Sequence, residues 1–308
     1  MTRGAAIAAV AIALVVATAG CGLGAGPGTG GVHVTVTSDF GGHQIAAADA
    51  ASVPGSETVM RMLERRFDVK TRYGGGFVES INGQTGSSSQ RDWFYYVNGV
   101  QAPDGAAVTS VHHDDHIWWD LHDWRATDSI PAVVGSFPEP FTNGIGGKRY
   151  PTTIECGSNV NAACKRVTAV LSGDGVPVAG QLIGTGSGPD TLGVVVGTWK
   201  QLAPEVAAEL IAHGPGASGV YANFSGPAGT TLRLLDPDGH VAQTLGAGAG
   251  LVAATADSSS VPTWLVTGTD VAGVDAAARA FNADALHDHF ALAVQGGTTY
   301  PVPLDGGQ

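Results

Sequence analysis

The stretch at residues 91–125, RDWFYYVNGVQAPDGAAVTSVHHDDHIWWDLHDWR, decides how the fold of this chain is interpreted. It contains four of the six tryptophans and four of the ten histidines of the chain. Residues 93–97 and 117–121 both place aromatic side chains on the alternating faces of a β-strand. Asn98 and Gly99 end the first of these runs with a turn signal. The stretch therefore predicts two aromatic strands of a small sheet.

The two faces of such a sheet need two different partners. One face packs on the core of the domain, and the other must be covered by a second domain, by a partner protein or by a ligand. We favour a ligand because flat aromatic rings stack on flat or apolar molecules, and Trp and Tyr also carry a polar group. The predicted ligand-binding residues are Trp93, Tyr95, Tyr96, Trp118 and Trp119. The alternative is a fully covered sheet in which these rings are core.

Length and charge restrict the class of protein. A chain of 308 residues predicts two compact domains. Its formal net charge of −12 argues against nucleic acid or anionic lipid as the main partner, because both attract basic surfaces. Only 14% of the residues are charged and 46 are glycine, which suits an exported bacterial protein with many tight turns.

The N-terminus has the pattern of a targeting segment. Arg3 precedes an apolar run at residues 5–17, as in a signal peptide. The sequence TAGC at 18–21 resembles the bacterial lipobox, although the usual Leu is replaced by Thr18. We expect residues 1–21 to be a lipoprotein signal peptide with Cys21 as the lipidated cysteine, which would anchor the protein to the extracytoplasmic face of the cell membrane. The alternatives are an ordinary cleaved signal peptide and an uncleaved anchor.

The remaining cysteines predict a disulfide. Cys156 and Cys164 are eight residues apart, in a compartment where disulfides persist. No histidine lies between them or near them, so a disulfide is favoured over a metal site.

The cluster of histidine and aspartate at residues 112–116 is the best metal candidate, because imidazole and carboxylate ligands suit Zn²⁺. Along a strand, His112, Asp114 and His116 could converge, whereas His113 and Asp115 could not join them. A solvated turn is the favoured interpretation, and we predict no metal site.

Catalytic signals are weak elsewhere. The glycine-rich segments 184–188 and 246–250 lack the Lys-Ser/Thr pair of a phosphate-binding loop. Ser218 does not lie in a nucleophile elbow. We therefore predict that the protein is not an enzyme, and a hydrolase is the least favoured class.

The order of predicted elements indicates the domains. Residues 22–30, GLGAGPGTG, are predicted to be a flexible tether. Residues 31–126 predict two strands, a helix at 56–67 capped by Ser56, a break at 68–76, a strand at 77–81 and the aromatic strands, which is the order of a β-grasp domain. Residues 127–147 contain three prolines and are predicted to be a linker. Helices and strands alternate at 148–308, which predicts an α/β or α+β domain.

Three segments of the first domain resemble a known family. FVESING at 77–83, WFYYVNG at 93–99 and IWWDLHDW at 117–124 resemble the DUF4430 family, the transcobalamin-like C-terminal module, over about residues 31–126. The resemblance implies a β-grasp fold related to ligand-binding modules. In the transcobalamin relatives this domain helps to cover a corrinoid, so a corrinoid is the first ligand to test.

Together these patterns predict an α+β protein, with a β-grasp domain followed by a second domain of unknown function. The predicted function is that of a lipid-anchored extracytoplasmic binding protein, which holds a corrinoid or another small ligand and docks on a membrane transporter for uptake. We expect no catalytic cofactor and no nucleic-acid partner. The alternative is an envelope lipoprotein that binds another protein and no small ligand.

Overall fold

The computed structural model describes residues 28, 30–86, 90–257 and 261–304. The predicted signal peptide, Cys21 and all of the predicted tether except Gly28 and Gly30 lie outside the described residues. No helix of the described part is both long enough and apolar enough to span a bilayer.

The first part of the chain folds around a five-stranded sheet. Its strand order is β2-β1-β8-β6-β7, and β3, β4 and β5 form a separate antiparallel sheet. Strand β1 runs parallel to β8 and antiparallel to β2, and β8 runs antiparallel to β6. This order and these directions are those of a β-grasp sheet, so that prediction is confirmed. The elements are β1 (Val32–Ser38), β2 (His43–Ala50), α1 (Val59–Arg66), β3 (Val69–Arg72), β4 (Phe77–Ile81), β5 (Gln84–Thr85), β6 (Arg91–Val97), β7 (Val100–Gln101) and β8 (His116–Asp123).

Helix α1 covers one face of this sheet. Its buried residues Met62 and Leu63 pack in one core with Val34 of β1. The helix begins after Thr58, whose hydroxyl accepts a hydrogen bond from the backbone N–H of Arg61. The predicted cap at Ser56 is wrong, because Thr58 is the residue that has extended backbone and reaches the first turn.

The second part of the chain folds around a seven-stranded sheet with the order β10-β9-β11-β16-β15-β17-β18. Strands β10, β9, β11 and β16 are parallel, and the other pairs are antiparallel. Together with the β-grasp sheet, this mixture confirms the α+β class. The elements are β9 (Thr152–Cys156), α2 (Asn161–Gly173), β10 (Val178–Leu182), β11 (Leu192–Thr198), α3 (Trp199–Leu202), α4 (Val206–Ala212), α5 (Pro215–Ser218), β12 (Ala222–Ser225), β13 (Thr231–Leu235), β14 (Val241–Leu245), β15 (Gly250–Thr255), β16 (Thr263–Gly268), α6 (Val271–Ala280), α7 (Ala283–Leu286), β17 (Ala291–Gln295) and β18 (Thr298–Val302).

The large sheet is covered on both faces. Val194 packs in the core that holds α2 and α6, whereas its neighbour Val195 packs in the opposite core, as the alternation of a strand requires. That opposite core also contains the strands β12–β14 and three residues of the β-grasp domain, Phe40, Tyr96 and Trp118. The two sheets are therefore joined through a shared apolar core.

The segment predicted to be a linker takes part in this packing. Val133 and Val134 are fully buried, each in a different core. The ring of Phe141 lies 5.1 Å from that of Trp264. Residues 127–147 are therefore not a free connection, because they contribute side chains to both cores of the large sheet.

The predicted disulfide between Cys156 and Cys164 is confirmed. It joins the end of β9 to the first turns of α2.

Candidate ligand-binding groove

The first face of the aromatic strands is the core of the β-grasp domain. Trp93 and Trp119 are buried in the same cluster as the residues of α1. Tyr95 is half-buried and stacks on Trp119 with 4.9 Å between ring centroids. Its hydroxyl donates to the carbonyl of Asp104 and lies 2.8 Å from the hydroxyl of Thr109. These three rings are thus occupied by contacts within the domain.

The second face meets the C-terminal domain. Tyr96 and Trp118 are fully buried in what we name the interdomain aromatic cluster. The ring of Phe290 lies 5.2 Å from Trp118 and 5.5 Å from Tyr96, so it occupies the place of the predicted ligand. The cluster consists of Phe40, Tyr96, Trp118, His122 and Phe290.

The arrangement agrees with the alternative of a fully covered sheet. Stacking of a ligand on Tyr96 and Trp118 would require the two domains to separate. Stacking on Trp93, Tyr95 and Trp119 would require the core under helix α1 to open, so ligand binding at these five residues stays a prediction. Both faces of the two strands lie in cores that the described residues already fill.

A buried polar network supports the interdomain aromatic cluster. The carboxylate of Asp120 accepts hydrogen bonds from the hydroxyl of Thr37 and from the backbone N–H of Phe40 and of Gly41. His122 lies between the rings of Phe40 and Phe94, with centroids 4.6 Å and 4.4 Å away. Because these groups are buried and paired with one another, their role is to fix the turn between β1 and β2.

The histidine and aspartate residues at 112–116 form a turn. The carboxylate of Asp115 is buried and accepts hydrogen bonds from the amide of Asn98 at 2.9 Å and from the backbone N–H of His112 at 2.7 Å. The Nε2 atom of His116 lies 3.0 Å from the hydroxyl of Thr35. Among the described residues, these side chains do not converge into a group that could hold a metal ion.

Asp236, Asp238 and His240 do converge, in the hairpin turn between β13 and β14. The Asp236 carboxylate accepts hydrogen bonds from the backbone N–H of Asp238 and of His240. Arg125 lies 3.0 Å from Asp238. These contacts show carboxylates that stabilise a turn and pair with a cation of the protein itself.

An open aromatic surface lies at the tip of the β3–β4 hairpin. Tyr73 is 88% exposed and Phe77 is 41% exposed, and three glycines separate them. Gly74 and Gly75 have positive φ angles, which glycine adopts without strain, and they turn the chain sharply between the two rings. Together with Trp124, these rings border a cavity of about 520 Å³, which we name the hairpin groove.

The polar side chains of the hairpin groove are held in place. Arg72 donates to Glu79 at 2.6 Å, and this hydrogen bond raises the pKa of Arg72 and lowers the pKa of Glu79, so both stay charged. The indole N–H of Trp124 donates to Asp92 at 2.8 Å. The groove therefore offers apolar rings for stacking beside charged groups for hydrogen bonding.

Sequence reasoning missed Tyr73 and Phe77, because residues 68–76 are predicted only as a break and Phe77 only as the first residue of a strand. The signal was present in the sequence YGGGF at 73–77, since consecutive glycines favour a tight turn and such connections lie at the surface.

Comparison with known proteins supports the family resemblance. Residues 56–123, from just before α1 to the end of β8, match the family described as "Domain of unknown function (DUF4430)". No curated protein matches the chain. A solved structure described as a "putative metal binding protein" from Ruminococcus gnavus ATCC 29149 is 21% identical, with a TM-score of 0.25, over 30% of this chain and 95% of that chain.

Proposed function

We propose that this chain, which carries a DUF4430 domain, is an extracytoplasmic binding protein that holds a small ligand in the hairpin groove. The observation that carries the proposal is the exposure of Tyr73 and Phe77 beside a cavity that Trp124 closes. Large aromatic rings are usually buried, and where they gather around a cavity in solvent they mark a place of binding.

The lining of the groove suggests the chemistry of the ligand. Tyr73, Phe77 and Trp124 offer flat apolar contact, and Arg72, Glu79 and Asp92 offer hydrogen bonds at the rim. A flat molecule with polar groups at its edge combines these properties. The volume of about 520 Å³ lies within the range of about 300–1,000 Å³ that is typical of small-molecule sites.

A corrinoid is the first ligand to test, because the family resemblance implies it. A corrinoid is larger than the groove, so the β-grasp domain would cover one edge of the molecule and leave the rest in solvent. Anchoring through Cys21 would hold the protein on the outer face of the cell membrane, from which it would pass its ligand to a transporter. The lipobox-like sequence at 18–21 supports this part of the proposal.

Calorimetric titration tests ligand binding directly. We expect the full-length chain in detergent solution to bind cobinamide or cyanocobalamin with 1:1 stoichiometry. Replacing both Tyr73→Ala and Phe77→Ala should weaken this affinity by at least about tenfold, because two stacking surfaces are removed. The matched control is Leu182→Ala, which removes another exposed large apolar side chain, from the C-terminal domain, and should leave the affinity unchanged.

Two results would contradict the proposal. The first is the absence of heat with both corrinoids and with haem as a second flat macrocycle. The second is equal corrinoid affinity in the wild type and in the double variant, which would place the ligand outside the hairpin groove.

The alternative function is docking on another envelope protein. It is favoured by the 88% exposure of Tyr73 at the tip of the hairpin, because exposed tyrosine rings are enriched at protein interfaces. A photoreactive amino acid at position 73 distinguishes the two functions in intact membranes. A stoichiometric crosslinked protein, with no small molecule in the native mass spectrum, would support the docking function.

A further inference from the structure

A second cavity of about 310 Å³ lies in the C-terminal domain, between the seven-stranded sheet, helix α4 and the loop at residues 184–190. We name it the acidic cleft, because Glu155, Glu205 and Asp257 line it. Among the described residues that line it, none is lysine, arginine or histidine. The described lining of the cleft is therefore negatively charged.

Glu155 is the most unusual member of this lining. It lies on β9 beside Val195 of β11 and is only 1% exposed. One carboxylate oxygen accepts a hydrogen bond from the hydroxyl of Ser187 at 3.1 Å, and that hydroxyl accepts one from Thr153 at 3.0 Å. The other oxygen, Oε2, has no hydrogen-bond partner among the described residues. A buried carboxylate oxygen without a partner is unfavourable, so a ligand that donates to it would be strongly stabilised.

Glu205 adds a second negative group at the rim. Its carboxylate accepts a hydrogen bond from the backbone N–H of Gly184 at 2.8 Å. Burial raises the pKa of Glu205, the Gly184 hydrogen bond opposes that rise, and the charge of Glu155 adds to it. The two carboxylates therefore repel one another through the cleft, and a cation between them would relieve the repulsion.

The arrangement fits an organic cation better than a metal ion. Among the described residues, Glu155, Glu205 and Asp257 do not bring their oxygen atoms close enough together to coordinate one ion. The cleft is also much larger than a single ion, and Val206 and Leu210 give it an apolar wall. An alkyl chain can lie along such a wall while ammonium groups at its ends reach separate carboxylates.

We propose that the acidic cleft binds a small aliphatic diamine, with one ammonium group donating to Oε2 of Glu155 and the other held near Glu205. This site lies on a different domain from the hairpin groove and does not depend on the function proposed for that groove. A negative result with corrinoids would leave it unaffected.

Calorimetric titration of the full-length chain in detergent solution with 1,4-diaminobutane tests the site. We expect 1:1 binding, with an affinity at least about tenfold higher than that for butylamine, because the monoamine leaves one carboxylate unpaired. The neutral isostere 1,4-butanediol should give no binding. Calcium at the same concentration should neither bind with 1:1 stoichiometry nor compete with the diamine.

Charge-neutralising variants locate the diamine. Glu155→Gln keeps the shape of the side chain and should weaken binding at least tenfold, on the order of one charge-assisted hydrogen bond. Glu205→Gln should weaken it about threefold to tenfold, because this carboxylate is more exposed to water. The matched control is Glu209→Gln, which removes an exposed carboxylate from the same helix outside the cleft and should leave the affinity unchanged.

Three results would overturn the proposal. The first is that the wild type does not bind diaminobutane. The second is that Glu205→Gln, and also Glu155→Gln if it folds, bind the diamine with unchanged affinity. The third is that calcium binds tightly and displaces the diamine. Thermal unfolding of each variant shows whether it is folded. If Glu155→Gln does not fold, the wild-type titration and Glu205→Gln still decide the outcome.

Discussion

His122 lies 2.8 Å from Asp120, measured from Nδ1 to a carboxylate oxygen, and both side chains are buried where the β-grasp sheet meets the C-terminal domain. The same carboxylate holds the hydroxyl of Thr37, which in turn accepts a hydrogen bond from the indole of Trp118 at 2.7 Å. A polar chain thus fixes the orientation of the rings that the C-terminal domain covers. The interface between the two domains therefore depends on these hydrogen bonds as well as on apolar packing.

The first prediction concerns Asp120→Asn, which keeps the size of the side chain but removes its charge. We expect the free energy of unfolding to fall by about 2–4 kcal/mol, because a buried partner is removed from His122 and one acceptor is replaced by a donor. Urea unfolding measures the change. Asp190→Asn is the control, since its exposed pair with Lys148 should contribute less than about 1 kcal/mol. Equal effects of the two substitutions would contradict a structural role for the network.

The second prediction concerns a close approach of backbone between the domains, at Gly41 and Asp288. Gly41 has a φ of +83°, and a Cβ atom added there would lie 1.7 Å from the carbonyl oxygen of Asp288. We expect Gly41→Ala to lower the free energy of unfolding by more than about 2 kcal/mol, because backbone strain and a clash combine.

Gly83→Ala is the matched control for that substitution. Gly83 has a similar φ of +81°, but an added Cβ atom would meet nothing within 4 Å. It should lose only about 1 kcal/mol through backbone strain. The difference between the two variants isolates the interdomain contact, and equal losses in urea unfolding would contradict it.

The third prediction concerns the disulfide between Cys156 and Cys164, which closes a loop with a sequence separation of 8. We expect the double variant Cys156→Ala with Cys164→Ala to lose about 2–3 kcal/mol of unfolding free energy, because the unfolded chain regains the freedom of that loop. A reductant should lower the stability of the wild type by a similar amount and leave the double variant unchanged. A reductant effect in the double variant would show a different origin.

The β-grasp fold was predictable because its signals are local. The side chains of residues 93–97 and 117–121 alternate between two faces, which indicates a strand within only five residues. The order of strands and helix along the chain then restricts the possible topologies. The burial of Tyr96 and Trp118 was not predictable in the same way. A strand pattern shows that a face is apolar, but only long-range contacts, here with Phe290, decide whether a ligand or another domain covers it.

The two cavities differ in how far their lining residues could be predicted from the sequence. Of the residues that line the acidic cleft, Glu155 lies on β9, whereas Glu205 lies at the start of α4, fifty positions later in the chain. Nothing in the spacing of the two residues indicates that they share a cleft, because the parallel strand β11 and its connections lie between them in the chain. Tyr73 and Phe77, by contrast, are neighbours in one hairpin, so a glycine-rich turn alone could have indicated the hairpin groove.

The last prediction concerns the pH dependence of stability. Burial lowers the pKa of His116 to about 3, and the nearby His33 and His287 add to the effect. Because this folded-state pKa lies below the unfolded value of about 6.5, the unfolded chain takes up a proton first as the pH falls, so the stabilisation that is present above pH 6.5 is lost below it. We expect this ring to lower the unfolding free energy by up to about 2 kcal/mol between pH 7 and pH 5.

His116→Gln should reduce that slope in urea unfolding at pH 7, 6 and 5, because glutamine does not take up a proton in either state. His240→Gln is the control, since the His240 side chain is 81% exposed and its removal should leave the slope of the wild type. A slope in His116→Gln equal to that of the wild type would show that another group carries the acid sensitivity. A reduced slope would instead assign this part of the acid sensitivity to His116, which lies where β1 pairs with β8.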